Sequence, residues 1–267
     1  MNTIAPTHQT SVTTADAPVI IPDGIPFLRL VRVELRKMVD TRAGRWLLIG
    51  IAAITLAVVA TVLIVSEPQD LTMSTFLAAT TGPQALLLPL LGVMAVTSEW
   101  GQRTALVTFS LEPRRLRVLL AKLVGSLVLG VIAIAVAFAF AALATGLGGL
   151  LRGGPGDWQL SWPTVGGVIL AQLLVVAQGV GFGLLFANTA TAIVAYLVLP
   201  MAWGLAGTMV SSLATVAAWL NLSQVTVPLV EDQMTGQHWA QLLTAIALWV
   251  FLPLAAGTWR LVRREVK

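Results

Sequence analysis

Long uncharged apolar runs, broken by short polar segments, organise the whole chain. Residues 158–230 form 73 consecutive positions without Asp, Glu, Lys or Arg. A helix rises about 1.5 Å per residue, so about 20 apolar residues cross a hydrocarbon core of about 30 Å. The long run therefore holds two spans, with a tight turn expected at Asn188 and Thr189. The pattern predicts an all-α membrane protein, a bundle of six spans at about residues 46–65, 83–98, 123–145, 165–187, 190–212 and 239–259.

The N-terminal 40 residues divide into a tail and a helix. Residues 1–25 are polar and rich in Thr, Ala and Pro, so we expect a disordered cytoplasmic tail, which leaves 26–267 as the membrane domain. The next segment places Arg29, Arg32 and Arg36 on one helical face and apolar side chains on the other. It predicts an amphipathic helix at residues 27–40 in the inner membrane interface. A plain surface anchor has the same pattern.

Two further features concern packing. Residues 213–238 are apolar but interrupted by Pro228. A short re-entrant or interfacial hairpin and a loop resting on the headgroups fit this segment equally well. Gly179 and Gly183 form a G-x-x-x-G pair, which permits close helix approach. We interpret the pair as packing within one bundle rather than as a dimer interface.

The distribution of charge fixes the orientation of the predicted bundle. Charged residues make up only 10% of the chain and the mean hydropathy is +0.88, whereas soluble domains carry about 25% charged residues. Fifteen of the 16 Lys and Arg fall on one predicted side, and Arg152 alone falls on the other. By the positive-inside rule both termini and the 99–122 loop are cytoplasmic, in the cell's inner (plasma) membrane. The basic pI then reflects orientation, and we expect no nucleic-acid partner.

Several kinds of chemistry find no residues in this chain. There is no Cys, the only His residues are His8 and His238, and none of the three Lys follows a phosphate-loop glycine pattern. The predicted spans hold almost no carboxylates, which argues against proton coupling. We therefore predict no enzyme, no metal site and no cofactor in this chain, and an energy source in another polypeptide. Gln172 and Gln178, about 120° apart on one span, are candidates for a substrate path.

The 99–122 loop is the most informative segment. Apolar residues 105–111 lie between Glu99 and Arg103 on one side and Glu112, Arg114 and Arg115 on the other. This content predicts a short helix that docks into a cytosolic partner. A positive-inside anchor with an interface helix accounts for the charges, but less well for the mixture of acidic, basic and apolar residues.

At this point the chain resembles the permease subunit of type-2 ABC exporters. The residues that carry the resemblance are Glu99, Trp100, Arg103, Thr104, Pro113, Arg114, Arg115 and Lys122 in the loop, with the N-terminal 33–37 segment followed by Asp40, Thr41 and Arg42. The resemblance covers about residues 27–267. It implies two permease copies or homologues with two ABC ATPase subunits, which bind ATP and Mg, and a substrate path between the permeases. By that resemblance the residues that contact the ATPase are Glu99, Arg103, Glu112, Arg114 and Arg115 of the loop (its coupling helix) and Arg36 and Lys37 of the N-terminal helix.

The predicted function is the membrane permease subunit of an ATP-driven exporter that works as a dimer. Two other classes stay open. One is a membrane anchor or assembly subunit for a cytosolic partner, and the other is a sodium-coupled carrier acting alone. The substrate, and the choice between a homodimer and a heterodimer, stay open as well.

Overall fold

The computed structural model describes residues 25–102 and 104–263. That part of the chain is mostly helical, with no strand. The helices are α1 Phe27–Asp40, α2 Arg42–Val65, α3 Met73–Gly101, α4 Ala105–Leu111, α5 Arg115–Arg152, α6 Trp162–Phe186, α7 Thr189–Met209, α8 Ala214–Leu220, α9 Leu222–Val225, α10 Val227–Val230, α11 Gly236–Ile246 and α12 Leu252–Arg263. Short 3₁₀ turns cover Pro68–Asp70 and Ser211–Leu213, and a π-helix, Ala247–Phe251, joins α11 to α12.

Six of these elements are long and apolar enough to cross a membrane: α2, α3, α5, α6, α7 and the continuous Gly236–Arg263 helix. Each of the six predicted spans corresponds to one of these helices, and the chain has the architecture of a multi-pass membrane protein; the bent pair Ser211–Leu220 and Leu222–Val230 would make a seventh span if it crossed as one broken helix. α3 begins at Met73, ten residues before the predicted span, where the Thr72 hydroxyl accepts a hydrogen bond from the Thr75 amide. Pro83, the predicted start of the span, lies within the helix. α5 is 38 residues long, about 57 Å, and ends where Gly153 adopts a φ of 68°.

The centre of the bundle is the contact between α3 and α6. A Cβ atom on Gly179 would lie 2.2 Å from the carbonyl oxygen of Pro89, and one on Gly183 would lie 3.0 Å from that of Val93. At Gly179 only glycine permits this approach of the two backbones, and at Gly183 a side chain would be in tight contact with the backbone of α3. The two glycines pack inside the bundle, which confirms that part of the sequence interpretation.

The helix predicted at residues 27–40 is α1, with the same bounds. It packs against α5, α2 and α3 rather than standing apart from the bundle. Val31 and Met38 from the predicted apolar face are buried, and so is Glu34 between them, whereas Leu28 is exposed. A carboxylate thus lies in the apolar stripe of this helix.

At the other end of the bundle, the chain between α7 and α11 forms a series of short helices. The first segment, Ser211–Leu220, consists of a 3₁₀ turn and α8, and the second, Leu222–Val230, consists of α9 and α10. The two segments are bent by 57° relative to each other. The indole nitrogen of Trp249 donates a hydrogen bond to the carbonyl of Leu220, 2.5 Å away, which attaches the end of α8 to the π-helix. This geometry is compatible with both a re-entrant hairpin and a segment on the headgroups.

Arg152, the one Lys or Arg on the predicted outer side, caps the C-terminal end of α2. Its guanidinium donates to the carbonyl oxygens of Leu63, Ile64 and Ser66 at 2.7, 2.6 and 3.3 Å. The last carbonyls of a helix have no partner within the helix. A cation placed there satisfies them and interacts favourably with the helix dipole.

Candidate functional site

Three separated parts of the chain meet at one end of the bundle, here called the α4 end. The guanidinium of Arg115 donates to the carbonyl of Leu261 near the end of α12, 3.0 Å away. The guanidinium of Arg117 donates to the carbonyl of Ile25, 2.9 Å away, just before α1. The 99–122 loop, the start of α1 and the end of α12 therefore form one surface. The opposite end of the bundle, which carries α8, α9 and α10, is called the α8 end.

A closed ring of four charges lies beneath this surface. The ammonium of Lys122 lies 2.7 Å from Glu34 and 3.1 Å from Glu99, and the ammonium of Lys37 lies 2.8 Å from Glu34 and 2.7 Å from Glu99. Lys122, Glu34 and Glu99 are only 2%, 5% and 6% exposed. Lys122 also donates to the carbonyl of Ala95, 3.0 Å away. We call these four residues the charge ring.

The positions of the four residues follow from helix geometry. Glu34 and Lys37 lie one turn apart on α1, Glu99 is in the last turn of α3, and Lys122 is two turns into α5. Buried charges are costly unless each is paired and hydrogen-bonded. In the ring the two carboxylates alternate with the two ammonium groups, so the net charge is zero. The ring therefore holds α1, α3 and α5 together at a fixed distance.

Lys37 is the member of the ring closest to solvent. Burial alone would lower the pKa of its ammonium, but the hydrogen bonds to Glu34 and Glu99 and the charges of those carboxylates outweigh burial and raise the pKa above its usual value. Lys37 is therefore protonated throughout the physiological range. The ring keeps both of its cations only if this side chain stays charged.

α4 is attached to the ring by one hydroxyl. Thr108 donates a hydrogen bond to Glu99, 3.1 Å away. The aromatic rings of Phe109 and Trp100 have their centroids 6.5 Å apart. The guanidinium carbon of Arg115 lies 5.3 Å from the centroid of the Phe109 side chain. The other face of α4 is open, and Leu111 on it is 69% exposed. α4 thus has one face bound to the bundle and one apolar face that no described residue covers.

A second, smaller ion cluster follows α4. Glu112 is buried and accepts from Arg114 at 3.0 Å and from Arg117 at 2.8 Å. Burial would raise the pKa of the Glu112 carboxyl, but hydrogen bonds from the Arg114 side chain and amide outweigh burial and lower the pKa. The turn from α4 into α5 is therefore held by an ionised carboxylate.

The structure separates the residues that the resemblance assigns to ATPase contact. Glu99 and Glu112 face inward, Lys37 is half-buried in the charge ring, and Arg115 holds the end of α12. Their contact with an ATPase stays a prediction, and they would act on it through the helices that they position. Two of the assigned residues are well exposed, Arg36, paired with Asp40 at 2.8 Å, and Arg114. Arg103 lies outside the described residues.

Sequence reasoning missed the roles of Glu34 and Lys122. Lys122 was assigned only to the loop pattern, and Glu34 only to the N-terminal segment. The sequence does indicate that Glu34 is buried, because Glu34 lies three residues after Val31 and four before Met38, within the apolar stripe of α1. A carboxylate in a buried stripe requires a buried cation nearby.

Gln172 and Gln178, the predicted path residues, line one groove nearer the α8 end. The groove has a volume of about 700 Å³ and runs between α3, α6, α7 and the segment from Asn221 to Thr226. Both glutamines are buried in its wall although they lie about 120° apart on α6. Among the described residues, no Asp, Glu, Lys, Arg or His lines it. We call it the uncharged groove.

No metal centre is found in the part of the chain that the structure describes. Within residues 25–102 and 104–263 there is no group of three or more His, Asp or Glu side chains placed to hold a metal ion. The candidate functional sites are therefore the α4 surface with its charge ring and the uncharged groove.

No protein-family model matches the chain, and no curated protein matches it.

Proposed function

We propose that the chain is the permease subunit of an ATP-driven exporter, moved by a separate ABC ATPase that docks on α4. The observation that carries the proposal is the link between α4 and the bundle through Thr108 and the charge ring. A force on α4 reaches α1, α3 and α5 through these contacts. Rigid transmission of this kind is what a subunit without an ATP site needs from its partner.

The exposed face of α4 supports a protein partner. Leu106, Val107 and Leu111 are all more than half exposed, next to the exposed arginine Arg114. The distribution of Lys and Arg favours a cytosolic location for this end of the bundle. An apolar patch rimmed by charge, held in water rather than in lipid, is typical of a protein interface.

The uncharged groove favours transport over a pure anchoring role. An anchor needs only lipid-facing surface and a cytosolic docking site. A groove that extends through the outer half of the bundle, with buried amides in its wall, has no use in that function. By the resemblance, two such permease subunits enclose the substrate path, and ATP and Mg belong to the partner subunits.

The proposal is tested by capturing the full chain, with a C-terminal tag, from its native membrane in a mild detergent. We expect a complex that hydrolyses Mg-ATP and contains two ABC ATPase subunits for every two permease copies. Leu111→Asp places a charge in the exposed apolar face of α4 and is expected to abolish the recovered ATPase activity. The matched control is Val227→Asp, which introduces the same charge at an exposed valine of the α8 end and is expected to retain that activity.

Three outcomes would contradict the proposal. Capture of the intact chain without ATPase activity would remove the energy source. Full activity in the Leu111→Asp complex would exclude α4 as the docking site. ATP-independent transport by the chain alone in sodium-loaded vesicles would favour a carrier instead.

A further inference from the structure

A partly enclosed cavity lies beneath α4, between the bundle and the turn that joins α1 to α2. Its volume is about 340 Å³, within the range of about 300–1,000 Å³ that is typical of small-molecule sites. Its floor consists of buried apolar side chains, Met38, Leu91 and Ala95. Its mouth consists of exposed residues, which are Thr41, Ala43, Gln102 and Thr104. We call it the α4 cavity.

The polarity of the lining changes along the α4 cavity. On α3 the lining runs from Leu91 to Gln102, eleven residues apart, which is about 16 Å of helix. From Leu91 to Ala95 the lining side chains are apolar, and from Ser98 to Gln102 they are polar. This order matches a molecule with an apolar chain on the floor and a polar head at the mouth.

The ionic group that the α4 cavity offers to a ligand is an ammonium. Glu34 and Glu99 belong to the wall, but they are only 5% and 6% exposed, and each lies between two ammonium groups of the charge ring. The Lys37 side chain, which also lines the cavity, is 42% exposed. An ammonium has three N–H donors, and Lys37 uses two of them within the ring. The third is left for an acceptor outside the ring.

A second cation stands at the mouth. Arg42 lies between the lining residues Thr41 and Ala43, is exposed, and makes no hydrogen bond or ion pair with any described residue. Asp40, the one carboxylate within residues 36–45, is already paired with Arg36 at 2.8 Å. An anionic head at the mouth therefore gains two cations and meets no unpaired carboxylate among the described lining residues.

The mouth belongs at the level of the lipid headgroups. Trp46, four residues after Arg42, is 72% exposed, and Trp is enriched at membrane–water interfaces. The distribution of Lys and Arg favours the cytoplasmic leaflet for this end of the bundle. That leaflet carries anionic lipids, which bind to basic pockets between membrane helices.

From these observations we infer that the α4 cavity binds an anionic phospholipid, with its phosphate between Lys37 and Arg42 and the end of one acyl chain on the apolar floor. The inference goes beyond the proposed function, because binding needs neither ATP nor an ATPase subunit. In nanodiscs both leaflets hold the same lipids, so binding does not depend on the orientation of the chain either. A failure of this inference is therefore distinguishable from a failure of the ATPase proposal.

The test uses two photoactivatable phospholipids that share one diazirine-bearing acyl chain. They are a phosphatidate, which is anionic, and a phosphatidylcholine, which has no net charge. The full chain in phosphatidylcholine nanodiscs is irradiated with each probe, and the labelled residues are mapped by mass spectrometry. We expect saturable labelling around Leu91 by the phosphatidate, and labelling at least about fivefold weaker by the phosphatidylcholine.

A first pair of variants tests the anionic head. Arg42→Gln removes the cation at the mouth and is expected to weaken phosphatidate labelling about fivefold, as for one basic side chain at an anionic lipid surface. The matched control, Arg29→Gln, makes the same change near the other end of α1, outside the cavity lining. It is expected to leave the labelling unchanged.

A second pair tests the route of the acyl chain. Ala43→Trp obstructs the mouth from an exposed position and is expected to abolish labelling of the floor. The matched control, Ala53→Trp, makes the same change at an exposed alanine of α2 that does not line the cavity. It is expected to retain the labelling.

Competition on the unaltered chain keeps the test independent of any variant's folding. Excess unlabelled phosphatidate is expected to suppress the labelling, and inorganic phosphate is not, because it lacks the acyl chain. Equal labelling by the two probes would overturn the inference, as would suppression by inorganic phosphate. The same holds for equal losses in Arg42→Gln and Arg29→Gln, and for full labelling of the floor in Ala43→Trp.

Discussion

The charge ring and the uncharged groove both bury polar side chains, and they treat them in opposite ways. In the ring every ammonium lies within 2.7–3.1 Å of two carboxylates. Beside the groove, the side-chain nitrogen of Gln172 has been taken out of solvent without a hydrogen-bond partner among the described residues. Polar groups that satisfy one another stabilise a fixed arrangement, whereas a buried group left unsatisfied lowers stability. The comparison distinguishes a structural joint from a groove wall that carries an unsatisfied polar atom.

The sharpest way to break the comparison is to remove a buried charge from the ring. Lys122→Met leaves Glu34 and Glu99 with Lys37 as their only remaining ring cation, and we expect a loss of about 3–5 kcal/mol in the free energy of unfolding. The measurement is denaturant unfolding of the detergent-solubilised chain. Lys37→Met is the matched control, because its side chain is 42% exposed and water can replace the lost ammonium. Equal losses in the two variants would mean that burial of the ring does not matter.

The next effect concerns the attachment of α4. Thr108→Val removes the hydroxyl that donates to Glu99 while keeping the shape of the side chain. A hydrogen bond to a charged group contributes about 1.5–3 kcal/mol, so amide hydrogen exchange in α4 is expected to become at least about tenfold faster. Ser110→Ala is the control, since that hydroxyl donates only within α4, to the carbonyl of Val107. Unchanged exchange in Thr108→Val would show that the ring does not hold α4.

Within the groove, the same comparison predicts opposite signs for two polar deletions. Gln172→Leu removes an unsatisfied amide, so we expect the free energy of unfolding to stay the same or to rise by about 1 kcal/mol. Tyr196→Phe removes a hydroxyl that is bonded to Ala85, and we expect a loss of about 0.5–1.5 kcal/mol. Thermal unfolding of both variants in ligand-free nanodiscs provides the measurement. A clear loss in Gln172→Leu would mean that this amide is satisfied in the folded chain.

The smallest expected effect is the pH dependence of the α4 surface. The pKa of Glu112 is lowered, so its ion pairs stabilise the loop above the ordinary carboxyl pKa of 4.5 and are lost as the pH falls through the depressed value. The pKa of Lys37 is raised, so its contribution is present below 10.5 and is lost only as the pH rises through the higher value. We expect the ¹⁹F signal of fluorophenylalanine at position 109 to stay constant between about pH 5 and pH 10 and to shift below. In Glu112→Gln the acid shift should be absent, and a midpoint near neutrality would contradict the assignment.

The sequence predicts most of the fold and only half of the sites. The spans follow from local runs of apolar residues, which need no knowledge of tertiary contacts. The helix at residues 27–40 follows from its 3.6-residue period. The charge ring does not, because two of its four pairs join residues 62 and 88 positions apart. The groove was indicated by Gln172 and Gln178 alone, and its boundaries depend on how α7 and the segment after it pack.

The contact between Arg152 and the end of α2 has a consequence for synthesis of the chain. The first span emerges from the ribosome with its last carbonyls unsatisfied, and their cation arrives only when α5 has been completed. The ion pair between Glu34 and Lys122 closes the other end of the same assembly, and it too awaits α5. Residues 25–152 can therefore form both of these contacts, one at each end of the bundle, before α6 is translated. α6 would then complete the core of the bundle by packing on α3.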